Sequence, residues 1–337
     1  MPDTAHLFIV AVVFFALAFD FINGFHDTAN AIATSVLTRA LSIRNAVFLS
    51  GAQNFVGAMI WTGVAKTIGK GIVDPASVSG QEGQTLVLAA LFGAITWNLI
   101  TWWLGLPSSS SHALIGGVIG AAIAAKGIGV LNGDGLTRIF TSLVLSPIAG
   151  FVAGSLLMIV VMNVFAQMAP SKLNRHFKIL QVISANFMAF THGSNDAQKS
   201  MGIITMALVV GGFLPTVDIP LWVKISCAAA MAFGTAAGGW RIIKTVGKKI
   251  MGLQPVHGFA AETAAAAVVL TATLFHAPVS TTHVISSSIM GVGSAKSLSS
   301  VRWGIVRQIV AAWLMTLPVS AGLGAAFYTI FHLVAKL

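Results

Sequence analysis

Charge is what this sequence has least of. Asp and Glu number 9 and Lys and Arg 19 in 337 residues, so only 8% are charged, where soluble globular chains carry roughly a quarter. With 56% hydrophobic residues and a mean hydropathy of +0.88, an ordinary soluble domain is excluded. The net charge of +10 would suit nucleic acid, but the basic residues are scattered between long apolar runs and form no basic face or tail. Nucleic acid is therefore set aside and a lipid bilayer taken as the partner. The lone cysteine, Cys227, excludes an internal disulfide framework and a cysteine-built metal site. The first apolar run follows Asp3 with no basic residue before it and continues past 20 residues, which argues against a removable signal peptide.

What is abundant is apolar length. Runs long enough to cross a bilayer as helix lie at 6–36, 45–65, 84–104, 107–125, 139–165, 179–210, 220–240, 258–276, 278–295 and 305–335. Ten crossings is the simplest count, and re-entrant hairpins would satisfy the same sequence. The first and sixth runs invite a helix break near Asn23-Gly24 and Thr191–Ser194. Numbering the loops alternately places twelve Lys and Arg on one side and six on the other, with Lys199 inside a span. Cytoplasmic loops hold the basic excess, so both termini are expected outside. Trp97, Trp102 and Trp103 read as an interfacial belt.

The chain also matches itself. GFHDTANA at 24–31 stands opposite GSNDAQKS at 193–200, offset 169, and PSSSSHALIGGVIG at 107–120 opposite PVSTTHVISSSIMG at 278–291, offset 171. AKTIGKGI at 65–72 matches IKTVGKKI at 243–250 more weakly. This is one duplication, with an N-terminal repeat at 1–165, a linker at 166–178 and a C-terminal repeat at 179–337. Five crossings per half is odd, so the second half must enter the membrane from the opposite side. The expected fold is all-α and polytopic, with two inverted-topology repeats and broken or re-entrant helices at the midplane, an architecture of secondary transporters.

Ionisable groups at bilayer depth cost several kcal/mol or more, and each needs a reason. Asp20, Asn23, Asp27 and Asn30 fall at i, i+3, i+7 and i+10, on one helical face. The carboxylates and amides suit a hard cation or a proton. His192, Asn195, Asp196 and Lys199 form the second stripe, in which Asp196 matches Asp27 and Lys199 matches Asn30. Asp20 has no counterpart, since the offset leads to Ala189, and reads equally well as a packing group. Glu262 is the other acid within a span and is also unmatched; it joins the candidate cation-coupling set of Asn23, Asp27, Asn30 and Asp196.

Pro107 and Pro278 are each followed by hydroxyl residues and a histidine: Ser108–Ser111 with His112, and Ser280, Thr281, Thr282 with His283. Proline then hydroxyls is a good helix start, and the free N–H groups of such an end bind oxyanions. The same hydroxyls also serve as ordinary glue between membrane helices, and the two histidines can simply bond neighbouring carbonyls.

These motifs resemble the inorganic phosphate transporter (PiT) family, particularly its bacterial members. GFHDTANA and GSNDAQKS are similar to the duplicated signature of that family, Pro107–His112 and Pro278–His283 to its hydroxyl-rich elements, and KTIGKGIVDP at 66–75 resembles it as well. The resemblance covers essentially the whole chain. It implies cation-coupled uptake of inorganic phosphate by a dimer in the bacterial inner membrane, with no other cofactor and no enzymatic activity. It implies phosphate binding by Ser109, Ser110, Ser111, Asn195, Lys199, Ser280, Thr281 and Thr282. Asp27, Asn30 and Asp196 would hold Na⁺, if Na⁺ rather than H⁺ couples. Three departures stand out: His26 in place of a frequent Asn, Lys199 in place of the second-copy Asn, and Asn54 where some members carry an acid.

Three other functions use similar groups. A carrier of another oxyanion such as sulfate would need the same donors. An intramembrane serine hydrolase would need one nucleophile and one base, against which the mirrored duplication argues. A passive anion channel is disfavoured by midplane carboxylates.

Overall fold

A computed structural model describes residues 4–78, 80–238, 242–243, 245–246 and 250–334. The described residues form an all-helical protein whose only β element is an isolated bridge between Val73 and Leu131. The first half contains α1 (Thr4–Leu37), α2 (Ile43–Ile60), α3 (Gly63–Gly71), α4 (Gly80–Leu104), α5 (Ser110–Lys126) and α6 (Gly133–Val164). The second contains α7 (Pro170–Val210), α8 (Leu221–Ala237), α9 (Pro255–Leu274), α10 (Thr281–Lys296) and α11 (Trp303–Val334). Five of these are long and apolar enough to cross a membrane: α1 from His6, α4, α6, α9 and α11.

One expectation needs correcting. The helices α1 and α7 run unbroken through Asn23-Gly24 and Thr191–Ser194. The glycines there serve close approach instead of a break. A Cβ on Gly24 would stand 2.4 Å from the Met231 carbonyl oxygen, and one on Gly193 would stand 2.2 Å from that of Asn54. Within 166–178, α7 begins at Pro170. A proline in the first turn, where its missing N–H costs nothing, starts a helix of 41 residues, about 60 Å at 1.5 Å per residue. It outruns a bilayer, and its opening turns carry Lys172, Arg175 and Lys178.

The breaks that form hairpins fall elsewhere, at residues 105–109 between α4 and α5 and at 275–280 between α9 and α10. Each pair is a hairpin whose two ends return to one face. Lys126, ending α5, lies 2.6 Å from Glu82 in the first turn of α4. Loops of like parity also meet. Lys66 pairs with Asp218 at 2.7 Å, and the Asn132 amide donates to the Ile72 carbonyl.

Packing in one half is echoed in the other. Helix α1 lies against α8 as α2 lies against α7, and α5 against α11 as α10 against α6. Individual contacts repeat too. Gly24 meets Met231 as Gly193 meets Asn54, Gly234 meets Phe21 as Gly57 meets Phe190, and Gly154 meets Ser288 as Gly324 meets Gly117. Pro147 and Pro318 sit inside the matching helices α6 and α11. Two apolar cores result. One gathers Val12, Ala16 and Phe19 of α1 with the α4–α5 hairpin and the end of α7. The other gathers Ile32 and Ala33 of α1 with the α9–α10 hairpin and the start of α7. Between them lies a buried polar layer from the middles of α1 and α7 and the starts of α5 and α10.

Candidate functional site

That layer brings together side chains far apart in sequence. The Asp27 carboxylate faces the starts of both short helices. Its Oδ2 accepts from the Ser110 hydroxyl at 3.0 Å and its Oδ1 from the Thr282 hydroxyl at 3.2 Å. His26 Nδ1 stands 2.7 Å from the same Oδ1, and its Nε2 lies 3.1 Å from the Thr101 hydroxyl. Asn23 Oδ1 lies 2.6 Å from Ser110 Oγ. Asn30 Nδ2 donates to Thr282 at 2.9 Å.

The second copy repeats the carboxylate–hydroxyl plan, with His192, Asn195 and Lys199 at the places of Asn23, His26 and Asn30. Thr281 donates to Asp196 Oδ2 at 3.1 Å, as Ser110 does to Asp27. Lys199 Nζ donates to the Ser111 hydroxyl at 2.5 Å, as Asn30 donates to Thr282. The lysine, longer than the amide it replaces, also reaches Asp196 Oδ1 at 2.5 Å and the Val279 carbonyl at 2.8 Å. All four side chains are buried. A buried ammonium needs such partners, since desolvation alone would cost several kcal/mol.

Asp27, His192 and Asp196 converge, with one ligand atom from each lying within 4.8 Å of the others. His192 Nδ1 is 3.1 Å from Asn54 Oδ1, and its Nε2 faces Asp196 Oδ2 at 3.6 Å with no hydrogen-bond partner among the described residues. Asn54 in turn donates to Thr235 at 2.8 Å. Asn30 Oδ1 is likewise buried with no partner. Unpaired acceptors are costly in a dry interior. Two carboxylates, a free amide oxygen and a free imidazole nitrogen against one ammonium make a donor set that fits a cation. Sequence reading named His192 and Asn54 without placing them in the cation set; the signal was their position on the polar stripe and at the departure from the family pattern.

Other candidates take different places. Ser109 and Ser280 are N-caps, accepting from the His112 and His283 amides at 3.1 and 3.2 Å. Their hydroxyls are thus engaged, while the turns they start aim N–H groups outward from the helix. Asn195 is bound to the second hairpin: its Nδ2 donates to Thr273 at 3.0 Å and to the Ala277 carbonyl at 3.3 Å, and its Oδ1 accepts from the Val279 amide at 3.3 Å. Glu262 lies apart from the two aspartates. It accepts from Thr34 and from Ser184, the latter at 2.5 Å. Thr34 and Ser184 lengthen the polar stripes of α1 and α7, and that continuation could have flagged them.

The pattern of two acid-bearing helices and two hydroxyl-capped hairpins has known relatives. The family model described as "Phosphate transporter family" matches residues 23–324. The chain belongs to that family. Among its phosphate transporter relatives, a "Probable low-affinity inorganic phosphate transporter" of Bacillus subtilis (strain 168) is 52% identical over 98% of this chain and 99% of the relative. A protein of the same description from Rhizobium meliloti (strain 1021) is 46% identical over 97% of each. A solved structure described as "The sodium-dependent phosphate transporter" superposes with a TM-score of 0.89 at 26% identity, covering 97% of this chain and 100% of that one. This family membership makes the chain a transporter and not an enzyme, which disposes of the hydrolase alternative.

Proposed function

We propose that this phosphate transporter family member imports inorganic phosphate together with Na⁺, by alternating access of two inverted repeats. The observation that carries the reading is the meeting of Asp27 and Asp196 beneath the hydroxyl-rich starts of α5 and α10, beside acceptors left unpaired among the described residues. Phosphate would bind at those starts, through the hydroxyls of Ser110, Ser111, Thr281 and Thr282, the N–H groups of the first turns and Lys199. Ser109, Ser280 and Asn195 would shape this cradle through the bonds described above. The cation would take Asp27, Asp196 and Asn30, with Asn23 alongside; Glu262 with Thr34 and Ser184 would offer a further station on its path.

Electrostatics asks for the cation. Carrying HPO₄²⁻ into a cell interior at −100 mV costs roughly 4.6 kcal/mol before any concentration gradient. Two aspartates would repel the anion further. Positive charge travelling with it removes both penalties, and the neighbour described as sodium-dependent favours Na⁺ over H⁺. A second reading, phosphate moving with a divalent metal, is supported by the unpaired His192 Nε2 beside both carboxylates. Both termini would lie outside a bacterial inner membrane, as the loop charges favour, and the family resemblance favours a homodimer.

Uptake of radiolabelled phosphate into proteoliposomes tests this directly, under Na⁺, H⁺ or Mg²⁺ gradients imposed separately, with arsenate and sulfate as competitors. Accumulation driven by Na⁺ and blocked by arsenate but not sulfate is expected. Accumulation driven by H⁺ alone would replace the coupling ion, and a requirement for Mg²⁺ would favour the metal phosphate. Blockage by sulfate, or conduction with no cation, would sink the phosphate symport reading.

A further inference from the structure

The mechanism above leaves unused a polar cavity of about 490 Å³ on the face shared by α3 and the start of α6. Lys66, Lys70, Asn132, Asp134, Arg138 and His276 line it. Lys66 is neutralised by Asp218 at 2.7 Å. The hydrogen bond from Lys66, with another from Thr216, holds the Asp218 carboxyl below the usual carboxylate range. Lys70 and Arg138 then face the cavity with Asp134 as the carboxylate in its lining, while Asp74 lies with Lys70 in the adjoining cleft; Asp134 sits in the first turn of α6, where the helix dipole offsets part of its charge. The net field favours an anion.

The floor of this cavity is the tip of the second hairpin. His276 is held there at φ 58°, a left-handed conformation rarely adopted by residues other than glycine. Its ring lies so close over Gly63 that a Cβ there would come within 1.9 Å of it. Its carbonyl accepts from Thr67 at 2.8 Å. Three residues on, Val279 is bonded to Asn195 and Lys199 of the central site. One short segment is therefore both the floor of the cavity and the roof of the buried site.

We propose that this cavity is a second, shallow oxyanion site, where Lys70 and Arg138 capture phosphate before the His276–Val279 tip admits it to the central layer. This rests on the phosphate reading and on the outward placement of the N-terminal face. A cleft with a net field of one sign raises the local concentration of its ligand and loses that advantage with salt.

Initial rates of phosphate uptake should separate capture from translocation. In Lys70→Gln/Arg138→Gln the half-saturating phosphate concentration is expected to rise about ten-fold at low ionic strength, within the range of such focusing, and to converge on wild type in high salt. The maximal rate should be unchanged, and Lys70→Arg should behave as wild type. A half-saturating concentration equal to wild type at low ionic strength overturns the proposal, as does a loss of maximal rate alone. Labelling of Asp134→Cys in a Cys227→Ala background provides a readout free of transport, since the native thiol is buried and both cations are kept. Phosphate, compared with chloride at equal ionic strength, should slow modification by an impermeant thiol reagent added outside. Absence of protection, or labelling only from inside, overturns the site. Protection in a protein that takes up no phosphate would instead locate the failure in the symport reading.

Discussion

Lys199 is one of the residues at which the two halves stop being copies. It keeps the bond that Asn30 makes in the other half and adds an ion pair with Asp196. Removing one partner of a buried pair strands the other, at a cost of about 3–5 kcal/mol. Asp196→Asn should therefore lower the melting temperature in detergent markedly, while Asp196→Asn/Lys199→Asn recovers most of the loss and still fails to accumulate phosphate. Recovery of stability without transport separates the structural from the transport role; equal melting of the single variant and wild type would refute the stranded charge. The capping serines make a contrasting case. Ser109→Ala and Ser280→Ala should each cost about 1 kcal/mol, as lost N-caps do, and leave coupling intact. Ser110→Ala and Thr281→Ala each remove a donor to a carboxylate and should weaken uptake more than they weaken the fold, which paired melting and transport curves would show.

Among the elements, the hairpins decide how the site is built. Asn195 makes three bonds to the second hairpin, so Asn195→Ala leaves buried groups unpaired at about 1–3 kcal/mol each. Faster amide exchange at 277–280 than in wild type is expected; unchanged protection there would mean the tip is held by other contacts. Gly24 and Gly193 each abut the backbone of a neighbouring helix. Gly24→Ala and Gly193→Ala should therefore destabilise by about 1–3 kcal/mol through overpacking, visible as lower melting temperatures. Much of this was legible in sequence: the helix starts after Pro107 and Pro278, the matched stripes and their one-sided faces. What was not legible is which break the glycines signal. A glycine among polar residues looks like an interruption, and only the opposing carbonyls of Met231 and Asn54 show that it is a place of contact. Thr34 and Ser184 continue the polar stripes of α1 and α7, but that they converge on Glu262 of a third helix shows only once the helices are packed.

For the whole molecule, charge accounting follows from that single lysine. Asp27 and Asp196 bring two negative charges to the polar layer and Lys199 returns one. If the layer must be neutral around a bound anion, a permanent ammonium substitutes for one mobile cation. Lys199→Asn should then steepen the dependence of uptake on Na⁺, adding about one charge per cycle, worth about 2.3 kcal/mol per 100 mV. Reversal potentials in proteoliposomes would measure it, and an unchanged potential would show that Lys199 takes no part in the balance.

The rings of His112 and His283 lie 4.6 Å apart between centroids, and Trp313 stacks on the second at 4.0 Å. Equivalent residues can touch each other only beside the line about which the halves interchange. Under the alternating access proposed above, a pair so placed would hardly move as the two halves trade shapes, just as a hinge pin stays put while the door swings. In that proposed exchange the hairpin tips would move while these imidazoles stay face to face, so a tether across them should be harmless where the same tether at a tip would stall uptake.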